Sequence, residues 1–153
     1  MLRQASCRQL ASIRAQPRPP SADEGCYDLQ VSVVASPWVY PPPSDARGTP
    51  IDLRPVEPLL DRIVSSWHPR EIWLFGSRAR GTATRDSDWD LLVVVPDELA
   101  ADGFDDPMTI WKVKQGAGVR ADVLVCRASE FDEDRGTHNT IAYDAAVEGV
   151  RIS

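Results

Sequence analysis

Between Arg54 and Trp67 the apolar residues Val56, Leu59, Leu60, Ile63, Val64 and Trp67 recur at intervals of three and four, which predicts an amphipathic helix. Asp52 stands where a cap would, Pro55 and Pro58 confine the start to the first turn, and Pro69 ends the helix. Three apolar runs follow that are too short for helices and read as strands. The first, Ile72 to Phe75, is cut by Gly76-Ser77; the second, Leu91 to Val95, is preceded by Asp88-Trp-Asp90 and closed by Pro96. In the third, Arg120-Ala-Asp-Val-Leu-Val-Cys126, alternation puts Asp122, Leu124 and Cys126 on one face and Val123 and Val125 on the other. Pro107 to Gln115 reads as a short helix with Met108 and Trp111 on one side, and Asn139 to Glu148 as a last helix that Gly149 ends. Val150 to Ser153 reads as a short edge strand, whereas Asp97 to Asp106 and Ser129 to Arg135 read as charged, solvated loops.

Before residue 51 this order breaks down. Residues 1–50 hold eight of the 13 prolines and no sustained period, which predicts a flexible arm ahead of one domain at 51–153. Within the arm, Met1 to Pro20 carries Arg3, Arg8, Arg14 and Arg18 and no acid, the pattern of an organelle transit peptide; a non-native extension is the rival reading. Tyr27 to Tyr40 could make one strand before the prolines at 41–43.

Charge narrows the function. Residues 51–153 carry 12 Lys and Arg against 19 Asp and Glu, a balance of −7, which argues against a nucleic-acid-binding surface because that calls for a basic stripe. No apolar run approaches the roughly 20 residues of a membrane span. Cys7, Cys26 and Cys126 are odd in number and lack metal-finger spacing, which points to a reduced, cytoplasmic setting.

The candidate chemistry lies on the strands. Residues two apart in a strand face the same way, so Asp88 and Asp90 project together with backbones roughly 7 Å apart. Two like charges beside an apolar strand call for something positive between them, and Mg²⁺, which takes hard oxygen ligands and substrate phosphates, answers that need. Gly76 lets backbone approach a ligand closely, and turn N–H groups with the Ser77 hydroxyl make an anion nest. Arg78 and Arg80 follow directly; their guanidinium groups could neutralise a triphosphate or pair with acids such as Asp86.

The string GSRARG, with ten residues between Gly-Ser and the Asp-x-Asp of SDWDLLV, resembles the nucleotidyltransferase superfamily with the DNA polymerase β-like fold, and within it the minimal nucleotidyltransferases. The likeness covers about residues 50–153. It implies an α/β (α+β) fold: a small mixed β-sheet with helices packed on one side. It also implies transfer of AMP from ATP, with two Mg²⁺ ions held by Asp88, Asp90 and Asp122, phosphates placed by Gly76, Ser77, Arg78 and Arg80, and Asp122 as general base or metal ligand. Trp89 departs from the aliphatic residue common at its position. Small members are similar in size and motif to the antitoxin half of HEPN/MNT toxin–antitoxin pairs, which implies a tyrosine of a HEPN-type toxin as acceptor. Two other classes stay open: a non-catalytic nucleotide-binding antitoxin acting by complex formation, and an adenylyltransferase for a small, aminoglycoside-like molecule.

Overall fold

The computed structural model describes residues 42–153; the transit-peptide segment and the strand expected at Tyr27 to Tyr40 lie outside them. The first helix, α1 (Glu57–Trp67), buries Leu59, Leu60, Ile63 and Trp67, the stripe its spacing predicts, each side chain worth about 1.5–3 kcal/mol. It starts later than expected. Val56 is its N-cap residue, and Asp52 instead accepts from the Arg54 N–H, closing a turn one step upstream. Pro58 sits in the first turn, where a missing N–H costs nothing.

The three apolar runs form adjacent strands of one sheet. Strands β1 (Glu71–Phe75), β2 (Trp89–Val95), β3 (Ala121–Arg127) and β4 (Val150–Arg151) lie in the order β3-β2-β1-β4. β1 runs antiparallel to β2 and β4, and β2 parallel to β3. A parallel pair needs a crossover, and the chain supplies it through a 3₁₀ turn at Asp97–Leu99 and a helix, α3 (Pro107–Lys114). The connection from β1 to β2 holds a single helical turn, α2 (Gly76–Ala79). After β3 come α4 (Ala128–Asp134) and α5 (Ile141–Glu148).

The mixed α/β class and the mixed sheet are as expected, but the described helices cover both faces of the sheet and not one. Leu91, Val93 and Val95 pack with the α1 stripe, Val113 of α3 and Val123, whereas Leu92 and Val94 pack with Ala128, Phe131, Ala142 and Ala145 of α4 and α5. The reason is legible in β2 itself. Five consecutive apolar residues, all buried, leave no face for water, and such a strand must be covered twice.

α4 occupies the stretch read as a charged loop. Phe131 is fully buried and stacks at 5.9 Å from Trp73 of β1. The start of the helix is fixed by two carboxylates: Glu130 accepts from the Arg127 N–H at 3.0 Å, and Asp97, from the far side of the crossover, accepts from the Ser129 N–H and hydroxyl. The end of the expected arm is folded as well. Residues 42–50 make a turn closed by a Ser44–Pro50 bridge, with Pro43 buried and the Ala46 N–H bonded to the Ala79 carbonyl at 2.8 Å.

Candidate active site

Register brings the carboxylates together. Asp90 on β2 lies opposite Asp122 on β3 and opposite Phe75 at the end of β1, so the last residue before Gly76 and both aspartates share one rung of the sheet. Neighbouring strands are about 4.8 Å apart. Asp88 immediately precedes β2 and belongs to the same alternation. Trp89 between them points the other way, into the α1 core, at 4% exposure.

α2 closes over this rung. Gly76 has φ +70°, a left-handed conformation, and a side chain there would collide with the Asp90 carboxylate, whose Cγ would lie 2.9 Å from the added Cβ. The glycine is therefore required twice, by its backbone angle and by the oxygen it makes room for. The Ser77 carbonyl accepts from the Thr82 N–H at 2.9 Å, which holds α2 against the following turn.

The electrostatics follow from crowding. Burial, reinforced by Asp122 and Asp88, pushes the Asp90 carboxyl above its ordinary value, with Arg80 and Arg78 pulling the other way. Asp88 Oδ1 is buried without a hydrogen-bond partner, although the Arg120 guanidinium Nε lies 2.9 Å away; close in distance, that contact is not aligned as a hydrogen bond. Asp122 is largely exposed, and Lys114 Nζ stands 3.9 Å from its Oδ1.

The two arginines of GSRARG diverge. Arg78 donates to the backbone carbonyls of Ser87, at 2.5 Å, and Asp88, at 3.2 Å, and stacks 4.2 Å over the Trp89 ring. It staples the loop that presents Asp88, a role distinct from the phosphate contact or Asp86 pair weighed for it above. Arg80 lies toward α5, 3.5 Å from Glu148. Arg120 is the residue that motif reasoning passed over. Arg120, two residues before Asp122 on the strand that pairs with β2, carried the only signal.

Cys126 shares the face of Asp122 but is no nucleophile: burial, with a smaller push from Glu130, raises its thiol to about 12. His68 and His138 are exposed and away from this rung; His138 stacks on Tyr143 at 4.4 Å. Among the described residues no helix is long and apolar enough to cross a membrane.

A glycine turn over one strand end and acidic residues on two adjoining strands define a class of site suited to handling phosphate groups with a hard cation. Residues 50–145 match the family model of the nucleotidyltransferase domain, and the chain belongs to that family. Its class of activity is nucleotidyl transfer. A crystal structure of a candidate nucleotidyltransferase from Sulfolobus solfataricus is similar at 28% identity, over 53% of this chain and 71% of that one, with a TM-score of 0.42. No curated protein matches the chain.

Proposed function

We propose that the protein transfers AMP from ATP to a protein hydroxyl, a tyrosine of a HEPN-type toxin, and acts as that toxin's antitoxin. The observation that carries the transfer chemistry is the shared rung of Asp90 and Asp122 beneath Gly76. In this reading the Gly76–Ser77 turn places the phosphates and Arg80 adds positive charge beside them. Asp122, exposed at the strand end, accepts the proton of the attacking hydroxyl. The hydroxyl oxygen bonds to the α-phosphorus, the bond to the β-phosphate oxygen breaks, and pyrophosphate leaves.

The residues fit a divalent ion. All candidate ligands are carboxylate oxygens, the donor type Mg²⁺ takes, and Asp88 Oδ1 is a buried acceptor still lacking a hydrogen-bond donor. Among the described residues no three such groups stand close enough to share one ion as the side chains lie. Asp88 and Asp90 would hold the cation with Asp122 beside them. When bound, a pair of such ions supplies charge neutralisation at the attacking and leaving oxygens.

A protein acceptor is supported by the surface. Met108 and Trp111 on α3 are 62% and 53% exposed, large apolar side chains of the kind that mark protein contacts when left open to water. The resemblance of the chain's motifs to those of antitoxins of HEPN/MNT pairs supports a HEPN-type toxin as the partner. The test is incubation of the protein with Mg²⁺ and α-labelled ATP, with and without the product of the adjacent gene. Label should pass to the partner and vanish with Asp88→Ala. A partner neutralised equally well by an Asp88→Ala, Asp90→Ala double variant would refute modification as the mechanism.

A further inference from the structure

We propose that Arg120 is a built-in counter-ion for Asp88, one that gives way to the divalent cation and then turns to the polyphosphate of the nucleotide. The inference rests on the reading of Asp88 as a cation ligand and goes beyond it. Two of the three clustered carboxylates are each met by a basic side chain from one connection, the segment from the end of α3 to the start of β3: Arg120 at Asp88 and Lys114 at Asp122. The Arg120 contact neutralises charge without using the lone pairs, since Asp88 Oδ1 lies 2.9 Å from Nε yet has no hydrogen-bond donor. That oxygen is buried, but its lone pairs are not spent on a donor, so a cation that displaces the guanidinium finds them unused.

The guanidinium is free to leave. Arg120 is 77% exposed, and an exposed ion pair is cheap to break. Gly118, two residues earlier, has φ +71° and nothing within 4 Å of where a Cβ would stand, so the segment is unobstructed there. A destination is at hand as well. Arg120 borders a cavity of about 670 Å³ whose lining includes Arg78 and Arg85. Of the three acids in that lining, Asp45 is engaged by the Arg47 and Thr49 N–H groups and Asp52 by Arg54, which leaves Asp86 facing Arg78, Arg85 and Arg120. The cavity lies on the Trp89 side and is not lined by Gly76 or Ser77, so only a phosphate chain reaching past Arg78 would offer Arg120 there the partner it loses when a cation takes Asp88.

This arrangement predicts opposite signs for the bare ion and for the net-negative ion–nucleotide complex, as loss of any neighbouring positive charge would, so the comparison with a second arginine decides whether the effect belongs to Arg120. The experiment titrates Mn²⁺ alone into the full chain, following the free-ion electron paramagnetic resonance signal. It is repeated with a non-hydrolysable α,β-methylene analogue of ATP present. Arg120→Gln should bind Mn²⁺ alone about two- to fivefold more tightly, the range an exposed ion pair allows. It should bind the analogue with Mn²⁺ several-fold more weakly, while Arg120→Lys stays near the parent on both. Arg135→Gln, which removes the same charge near Asp132, is the control. Unchanged or weaker Mn²⁺ binding by Arg120→Gln, or an equal gain in Arg135→Gln, overturns the proposal. If the parent takes up no Mn²⁺, or Asp88→Asn takes it up equally well, the assignment of Asp88 itself fails and the counter-ion role with it.

Discussion

Gly76→Ala tests whether the turn exists for its backbone angle alone or also for the oxygen beneath it. The angle, φ +70°, costs an L-residue about 1–2 kcal/mol. The added methyl meets Asp90 Cγ at 2.9 Å and Cβ at 3.3 Å, so the carboxylate must shift, an overpacking cost of about 1–3 kcal/mol. The expected loss is then about 2–5 kcal/mol, a fall in Tm of roughly 10–20 °C for a domain of this size. Gly48→Ala supplies the comparison, since Gly48 has φ +81° and nothing within 4 Å. It should lose only the backbone part. Combining Gly76→Ala with Asp90→Ala removes the displaced group, so the double variant should be more stable than the sum of the two single losses by about 1–3 kcal/mol. Label transfer by Gly76→Ala should drop by about 10²-fold or more, because a displacement near 1 Å at a reacting centre has that effect. Equal losses for Gly76→Ala and Gly48→Ala, no coupling in the cycle, and undiminished transfer would together refute the packing argument.

Two further outcomes follow from the same coordinates. With its carboxyl raised by burial, Asp90 binds its proton more tightly in the folded than in the unfolded chain. Its stabilising contribution is complete below about pH 3.9 and is lost as pH rises through the raised folded value. In buffer free of divalent ions Asp90→Asn should lack that decline and be the more stable protein at neutral pH; parallel urea-midpoint profiles from pH 4 to 7 would sink this account. Phe131→Ala should cost about 3–5 kcal/mol in denaturant unfolding and alter the near-ultraviolet signal of Trp73, its stacking partner. A loss below about 1 kcal/mol would mean that α4 is not held by this ring.

The elements that define the rung were legible because each carries a strong local signal. Gly76-Ser77 cuts an apolar run, Asp88 and Asp90 open the next, and Asp122 opens the third; strand period and turn chemistry were enough to place all of them. Helix α1 was legible for the same reason, except for its cap, where Asp52 is drawn to Arg54. α4 was not. Seven residues with Phe131 as their one large apolar side chain give no period, and half of the support at its start comes from Asp97, 32 residues away. The second covered face of the sheet could have been read from Leu91 to Val95, whose unbroken apolar run offers no polar side. Arg120 escaped notice because its significance lies in a register, β2 beside β3, that no local pattern states. Arg78 was singled out for its charge, whereas two of its donors go to backbone carbonyls.

The turn at residues 42–50 bears on where this chain is cut for laboratory work. The family match begins at residue 50, and a clone trimmed to that boundary would look whole on paper. Such a trim would take away the Ala46 N–H that meets the Ala79 carbonyl at the end of α2, together with the buried ring of Pro43. The brace under the glycine turn would be lost while every residue of the motif stayed in place. A weak or unstable preparation could then be blamed on the chemistry when the fault lay with the scissors, and a boundary at residue 42 or earlier avoids that confusion.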